Sequence, residues 1–284
     1  MTTIIKNKLL DSNGIKNILL DFDGTLTDVD AEAMPAIEKW HELYCEKTGV
    51  SRFVLDKDFS CTLNEVLNDS KSGWINDGFI VAPATADPLV LTTTVYQKMI
   101  AKNIREGSFP SNPEAKAIDA LLYELFSKSY PYSNIVFRKG AKEFLDELTS
   151  QYNVTIVTNS KVDSVEHKLG KLVDYSVPII GNAKKYIIGT EPSFIPKQTT
   201  LEDFPRPIFL RRSQYYSILK EFDAEESAVI GDIYEFDLAL PEYLGFKTIQ
   251  LETSTTPRYE SNRKNTSNYK LSKNYSTILG MIEK

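Results

Sequence analysis

The sequence contains little histidine and little cysteine, and this scarcity argues against several kinds of site. Among 284 residues there are two histidines, His41 and His167, and the Cys–His spacing of zinc-binding motifs is absent. A histidine-rich zinc site is therefore not expected. The two cysteines, Cys45 and Cys61, are too few for a disulfide framework. No His and Asp motif surrounds either thiol, so we expect two reduced cysteines and no cysteine nucleophile.

Long apolar runs are missing as well. No segment approaches the roughly 20 apolar residues that span a bilayer, and residues 1–10 lack the apolar stretch of a signal peptide. We therefore expect a cytoplasmic protein with no membrane partner. The net charge of -6, from 39 acidic and 33 basic side chains, argues against a nucleic-acid partner, which needs concentrated Lys and Arg. The net charge says little about small anionic substrates.

The sequence does contain short apolar runs that alternate with helical patterns. Five runs have the length and composition of buried parallel strands, at residues 18–20, 154–157, 177–180, 228–230 and 247–251. Apolar residues at helical spacing lie between most of these runs. Strands that alternate with helices predict an α/β fold, with a Rossmann-like parallel sheet and helices on both faces.

The segment at residues 29–134 departs from this alternation, because its apolar residues follow helical spacing almost throughout. We therefore predict a core domain formed by residues 1–28 and 135–284, with a helical domain inserted at residues 29–134. Scattered Gly, Pro and Asp predict a long loop at residues 73–88, with at most one short strand. Residues 253–274 are polar and predict a mobile segment before a short final helix.

The first predicted strand ends in an acidic string, Asp21-Phe22-Asp23-Gly24-Thr25-Leu26-Thr27-Asp28. In an open parallel sheet, ligands bind just outside the carboxyl ends of the strands. One carboxylate there can attack phosphorus and form an acyl phosphate, and a second can protonate the leaving group and then deprotonate water. Gly24 permits the tight departure, and backbone N–H groups beside it can hold an anion. A lone Asp-x-Asp would more simply be a strand cap.

This string resembles the first motif of the haloacid dehalogenase superfamily in full. The resemblance implies that Asp21 is the nucleophile and a ligand of Mg²⁺, that Asp23 is the general acid/base, and that the Asp23 carbonyl also binds the metal. Gly24 and Thr25 would contact the phosphate. True dehalogenases lack the second aspartate, so Asp23 favours phosphoryl chemistry. The inserted segment matches the position of the family's helical cap, which closes over the crevice and selects the substrate.

Two later strand ends carry further resemblances. Thr158 and Asn159 follow the second predicted strand, where a hydroxyl can contact a phosphate or merely cap the next helix. In this order they resemble the superfamily's second motif, which implies that both contact the phosphoryl group. Asp232 and Asp237 follow the fourth strand and resemble the last motif, which implies that they hold Mg²⁺ or its water shell. Glu235 is a second candidate for the role of Asp237, or a solvated charge.

The third motif departs from the common pattern. The family usually supplies a lysine, often followed by proline, that pairs with the nucleophile and the phosphate, and no Lys-Pro occurs at the usual distance. Lys184 and Lys185, directly after the third predicted strand, are the first candidates. Arg211 and Arg212 are the second, because arginine can bind phosphate bidentately. Either pair could instead be solvated, and we expect at most one functional residue in each.

Together the motifs predict a Mg²⁺-dependent phosphomonoester hydrolase that acts on a small phosphorylated metabolite through an aspartyl phosphate. A phosphomutase of the same fold, which passes the phosphoryl group to a sugar hydroxyl, needs the same motifs and is the first alternative. A non-catalytic binding protein that keeps the fold is the second. Asp21, Asp23 and Asp232 argue against it, since close carboxylates repel one another unless a cation compensates.

Overall fold

The computed structural model describes residues 14–69, 71–107 and 115–282. Its strands are β1 Asn17–Leu20, β2 Gly73–Asn76, β3 Phe79–Pro83, β4 Asn153–Val157, β5 Ile179–Ile180, β6 Gln198–Thr199, β7 Ile208–Phe209, β8 Ser227–Gly231, β9 Lys247–Leu251 and β10 Tyr269–Ser272. Its α-helices are α1 Val29–Thr48, α2 Arg52–Asn68, α3 Pro88–Arg105, α4 Ala115–Ser129, α5 Ala141–Gln151, α6 Val162–Leu169, α7 Ser213–Leu219, α8 Ala239–Tyr243, α9 Arg258–Ser261 and α10 Tyr275–Ile282. Among the described residues, no helix is both long enough and apolar enough to cross a membrane.

Six strands form one sheet in the order β10-β9-β8-β1-β4-β5, and every neighbouring pair is parallel. β1 lies in the interior of the sheet, with Ile18 opposite Val154 of β4 and Ala228 of β8. Successive side chains of a strand point to opposite faces, so Ile18 and Leu20 join the apolar cluster beneath α5 and α10, while Leu19 joins the one beneath α7 and α8. The predicted Rossmann-like α/β fold is confirmed.

The sixth strand, β10, lies where the sequence predicts mobility, and that prediction is wrong. Residues 253–274 contain α9 and β10, and β10 pairs with β9. Tyr269 explains the order: its ring is fully buried, its hydroxyl donates to Gln250 Oε1 at 2.7 Å, and the Arg263 guanidinium lies 3.9 Å from the ring centroid. One buried aromatic side chain with a satisfied hydroxyl thus anchors a polar segment.

We call residues 29–134 the insertion. Its helices α1 to α4 pack around an aromatic cluster in which Trp40 stacks on Tyr96 with ring centroids 5.6 Å apart. Asp28, Ser51 and Asp87 cap the N-termini of α1, α2 and α3 through their side-chain oxygens. The division of the chain into domains at these residues stays a prediction, and residues 1–13, 70, 108–114 and 283–284 lie outside the described part.

The loop predicted at residues 73–88 is instead a β-hairpin followed by a short 3₁₀ turn, and the correction has a local cause. β2 and β3 pair antiparallel across a two-residue turn, Asp77-Gly78, in which both residues have positive φ, 48° and 79°. Asp-Gly is the preferred sequence of such a turn, so the signal was present in the sequence. The hairpin packs against residues outside the insertion, where Phe79 meets Phe209 edge to face at 5.2 Å.

The two chain segments that lead into and out of the insertion run side by side. Asp28 N donates to Val136 O at 2.8 Å, and Arg138 N donates to Leu26 O at 2.9 Å. Between them, Thr27 and Phe137 form an isolated antiparallel bridge. The insertion therefore leaves and rejoins the core at one place, directly beside the carboxyl end of β1.

Candidate active site

The carboxyl ends of four parallel strands bring the predicted residues to one edge of the sheet. Asp21 follows β1, Thr158 follows β4, Lys185 lies five residues beyond β5, and Asp232 follows β8. A cavity of about 630 Å³ opens there between the core and the insertion. Asp21, Asp23, Thr158, Asn159 and Asp237 line it. The topology of the sheet explains why residues far apart in sequence meet.

Three buried carboxylates form the floor of this site. Oxygen atoms of Asp21, Asp232 and Asp237 lie within 4.8 Å of one another. Lys185 Nζ lies 2.8 Å from Asp21 Oδ1 and 2.8 Å from Asp237 Oδ1, and its side chain is 1% exposed. Thr25 Oγ1 lies 3.2 Å from Asp21 Oδ2 and 3.4 Å from Asp232 Oδ1, and its hydroxyl can donate to either oxygen. The arrangement holds three acids against one ammonium group.

Gly24 lets the loop after β1 approach this cluster. Its φ is +87°, and a Cβ at this position would lie 2.2 Å from Asp232 Oδ2. A side chain would therefore displace the carboxylate as well as strain the backbone. The Gly24 carbonyl accepts a hydrogen bond from Arg138 Nε at 2.6 Å, which fixes the loop against the segment that returns from the insertion.

The electrostatics of the floor follow from burial. Burial, and then the charge of Asp237, raise the pKa of Asp21 to about 7, although the ion pair with Lys185 opposes the rise. Burial and the charge of Asp21 raise the pKa of Asp232 well above its usual value. Burial would lower the pKa of Lys185, but the charges of Asp21 and Asp237 outweigh it and the pKa is raised. The raised pKa values of Asp21 and Asp232 mean that three ionised carboxylates against one ammonium group are unfavourable, and an added cation would stabilise their ionised forms.

A divalent cation fits this donor set. The three carboxylates offer oxygen ligands only, which is the preference of Mg²⁺, and their oxygens are close enough to share one ion. The described residues show no other acidic group of this kind with three members. Asp21, Asp232 and Asp237 are therefore the residues that would hold a metal.

Asp23 lies in different surroundings, although only two residues separate it from Asp21. Its Oδ2 accepts from Ser160 Oγ at 2.6 Å and lies 3.4 Å from Thr158 Oγ1. Its Oδ1 accepts from Lys168 Nζ at 3.0 Å. Its carboxyl group is thus held outside the cluster of Asp21, Asp232 and Asp237, at the cavity wall.

Two of these contacts were missed from the sequence. Ser160 belongs to the Thr-Asn-Ser string after β4, which was a signal that could have found it. Lys168 lies on α6 and carried no signal, because its role depends on the packing of three elements. Its Nζ also lies 2.8 Å from Glu32 Oε2 on α1. Lys168 therefore links Asp23 of the core to the insertion.

The third-motif candidates separate clearly. Lys185 Nζ contacts Asp21, whereas the side chain of Lys184 is exposed. Lys184 has a φ of +48°, and the turn at this residue directs Lys185 into the site. Arg211 donates to the carbonyl oxygens of Ile195 and two neighbouring loop residues, so its placement as a phosphate ligand is corrected. Asn159 Oδ1 accepts from Lys185 N at 2.7 Å and so fixes the backbone of the lysine.

Arg212 and Glu235 are buried beside the site and have other partners. Arg212 donates to the carbonyl oxygens of Lys185, Val81 at 3.0 Å and Glu235 at 3.1 Å. Burial lowers the pKa of Arg212 to about 10, so it stays charged at neutral pH. Glu235 is ion-paired with Arg206, and its proposed role as a metal ligand is therefore wrong. Arg212 joins the hairpin of the insertion, through Val81, to the core.

The insertion supplies one wall of the cavity. Glu32 of α1 and Asp87, the N-cap of α3, lie on this wall. Trp74 of β2 stacks on Tyr186 of the core at 5.8 Å between ring centroids, and it meets Phe236 edge to face at 5.2 Å. All three of these aromatic residues line the cavity.

Comparison with known proteins is consistent with this geometry. The family model for haloacid dehalogenase-like hydrolases matches residues 15–243. The magnesium-bound HAD-hydrolase YfnB of Bacillus subtilis superposes with a TM-score of 0.52 at 14% identity, over 95% of this chain and 100% of that one. A predicted phosphoglycolate phosphatase of Haemophilus somnus superposes with a TM-score of 0.49 at 14% identity, over 94% of this chain and 97% of that one. A 2-haloacid dehalogenase of Pseudomonas syringae superposes with a TM-score of 0.45 at 17% identity, again over 94% of this chain and 97% of that one. No curated protein matches the sequence.

Proposed function

Because the chain belongs to the haloacid dehalogenase-like hydrolases, we propose that it is a Mg²⁺-dependent phosphomonoester hydrolase that works through a phosphoaspartate on Asp21. One observation carries the proposal. Asp21 and Asp23 are two residues apart, yet Asp21 is buried against Lys185 and two further carboxylates, while Asp23 is held by Ser160 and Lys168 at the cavity wall. Two carboxyl groups in such different surroundings suit two different roles.

In the first half of the reaction, an Asp21 oxygen attacks phosphorus and the bond from phosphorus to the leaving oxygen breaks. Lys185 holds Oδ1 of Asp21, and Oδ2, which accepts the longer hydrogen bond from Thr25 Oγ1 at 3.2 Å, makes the attack. Asp23 donates its proton to the leaving oxygen, so the alcohol departs neutral. Mg²⁺, held by Asp21, Asp232, Asp237 and the Asp23 carbonyl, would offset the charge of the phosphoryl oxygens.

In the second half, the Asp23 carboxylate takes a proton from water, and the oxygen of that water attacks phosphorus. The bond between Asp21 and phosphorus breaks, inorganic phosphate leaves, and both aspartates return to their starting states. We propose Thr158, Lys185 and the backbone at Gly24 and Thr25 as the phosphate contacts. Asn159 would support them by fixing the backbone of Lys185.

We propose that residues 29–134 act as the cap of this enzyme over a core formed by residues 1–28 and 135–284. The insertion walls the cavity on the side away from the sheet, and a cavity of about 630 Å³ suits a small phosphorylated metabolite. A cap of this kind excludes water from the phosphoaspartate until the alcohol has left.

The test is the release of inorganic phosphate from a panel of phosphorylated metabolites, with Mg²⁺ and with EDTA. We expect Mg²⁺-dependent release by the wild type and none by Asp21→Asn, with both proteins folded by circular dichroism. Release that persists in Asp21→Asn would contradict the proposed nucleophile. Interconversion of phosphosugars without release of phosphate would show that the enzyme is a phosphomutase and not a hydrolase.

A further inference from the structure

The part of the cavity beyond the metal-binding floor is negatively charged. Of the described residues that line the cavity, Lys168 is the one Lys, Arg or His. Its ammonium group is already held by Asp23 at 3.0 Å and by Glu32 at 2.8 Å. The lining therefore leaves no free base for a substrate that carries a carboxylate or a second phosphate away from the reacting phosphoryl group.

Asp87 is the acidic group of the insertion wall that has no cationic partner. Its Oδ1 accepts from Leu89 N at 2.8 Å and from Val90 N at 2.9 Å, as the N-cap of α3. No ion pair among the described residues includes Asp87. Burial raises the pKa of Asp87, the two N–H groups oppose the rise, and the charge of Asp23 adds to it. Asp87 and Asp23 line the same cavity.

The aromatic residues of the same cavity add an independent observation. Trp74, Tyr186 and Phe236 form one contiguous group that lines the cavity and joins the insertion to the core. The faces of aromatic rings attract cations, and an ammonium group that is shielded from water gains most from them. An aromatic group that lines the same cavity as an unpaired carboxylate is a suitable environment for a cationic amine.

We propose that this enzyme selects phosphomonoesters whose leaving alcohol bears a cationic amine, and that Asp87 is the residue that determines this specificity. The inference rests on the proposed phosphatase function. An ammonium group on the alcohol pairs with Asp87 and approaches the aromatic wall, while the phosphoryl group lies on Asp21. An anionic alcohol is rejected because like charges face each other without a free counter-charge.

The first arm of the test uses three esters of matched length: 2-aminoethyl phosphate, 2-hydroxyethyl phosphate and phosphoglycolate. We expect kcat/KM to fall in that order, with about tenfold or more between the first and the last. p-Nitrophenyl phosphate serves as the reference for phosphatase activity as such. Wild-type enzyme that favours phosphoglycolate would overturn the inference.

The second arm uses Asp87→Asn, because asparagine retains the N-cap acceptor and removes only the charge. We expect the preference for the amine over the carboxylate to shrink by about tenfold, with little change on the neutral ester. Asp69→Asn is the control, since Asp69 is a half-buried acid of the insertion that pairs with Lys98 and does not line the cavity. An unchanged preference in Asp87→Asn would refute the role of Asp87.

Direct binding separates specificity from catalysis. Calorimetry on Asp21→Asn with Mg²⁺ is expected to show tighter binding of 2-aminoethyl phosphate than of phosphoglycolate, and Asp87→Asn in that background is expected to remove the difference. Suppose that the enzyme releases phosphate from p-nitrophenyl phosphate but shows no preference between 2-aminoethyl phosphate and phosphoglycolate. That result would overturn this inference and leave the proposed function standing. Absence of release from every ester would overturn the proposed function with it.

Discussion

The two walls of the cavity are built in opposite ways. On the core side, Lys185 directly bridges two of the acidic groups, and the acidic groups lie on the segments that follow β1 and β8. On the insertion side, Glu32 is paired with Lys168 of the core, Asp87 has no ion-pair partner among the described residues, and the support comes from a hairpin and helix caps. The core side thus has fixed geometry that suits one kind of chemistry. Under the proposed specificity, the insertion side has the groups that would distinguish one alcohol from another.

This difference teaches where change is tolerated. A substitution on the core side disturbs several charges at once, because Asp21, Lys185 and Asp237 form one connected group. A substitution such as Asp87→Asn removes one charge and leaves its neighbours paired. Activity as such and choice of substrate are therefore expected to respond to different residues.

The largest effect is expected on the core side, at Lys185. Lys185→Met removes the group that orients Asp21 and offsets its charge, and it leaves Asp21 and Asp237 facing each other. We expect phosphate release to fall about a thousandfold. Lys184→Met is the control, since this exposed neighbour does not reach the site, and it is expected to keep most of the activity. Equal losses in both variants would show that the core wall is not organised as described.

The next effect concerns the joint between the walls. Arg212→Met leaves the carbonyl groups of Lys185, Val81 and Glu235 without their donor, so we expect the free energy of unfolding to fall by about 3 kcal/mol. Urea denaturation measures the loss. Arg211→Met, whose side chain bonds a partly exposed loop, is expected to cost less than about 1 kcal/mol. Faster amide exchange in β2 and β3 of Arg212→Met would locate the defect in the hairpin.

A smaller effect is expected at Lys168, which touches both walls. Lys168→Met frees Asp23 and Glu32 from their shared partner, and we expect kcat to fall between about tenfold and a hundredfold. The loss is expected to shrink for p-nitrophenyl phosphate, because a good leaving group needs less protonation by Asp23. Lys171→Met, one turn further and exposed, serves as the control. A loss that is equal for all esters would contradict a role through Asp23.

The smallest effect is the pH dependence of Mg²⁺ binding. Burial and Asp237 raise the pKa of Asp21 to about 7, so below that pH a proton competes with the metal for this carboxyl group. Affinity is therefore expected to rise with pH between about pH 6 and about pH 8, by at most about tenfold per unit for each proton released. Calorimetry in buffers of different ionisation enthalpy measures that release. An affinity independent of pH would contradict a protonated Asp21.

The same contrast decides what could be predicted from the sequence. The proximity of Asp21, Thr158 and Asp232 could be predicted from the sequence, because the carboxyl ends of parallel strands lie at one edge of the sheet. The choice between Lys184 and Lys185 could not be made, since it depends on a left-handed residue in the turn after β5. The hairpin of β2 and β3 was not predicted, although Asp77-Gly78 is a typical hairpin turn sequence.

On the insertion side the sequence offered much less. Lys168 acquires its role only when α6 packs beside α1, and Asp87 only when the hairpin docks against the core. Neither has a motif around it. Residues on one element at fixed spacing can be predicted, whereas residues that meet across independently packed elements need the tertiary structure.

The paired segments at the base of the insertion have an evolutionary and practical consequence. Because Asp28 and Val136 are hydrogen-bonded neighbours, the two ends of the insertion are held together by the chain outside it. A different sequence of any length could be grafted between these two residues at little cost in chain entropy. A graft has to satisfy two further conditions, which are a carbonyl oxygen for Arg212 in the place of Val81 and a carboxylate for Lys168 in the place of Glu32. If the proposed division of roles holds, recombinant chimaeras that meet these two conditions would combine the chemistry of one parent with the substrate range of the other.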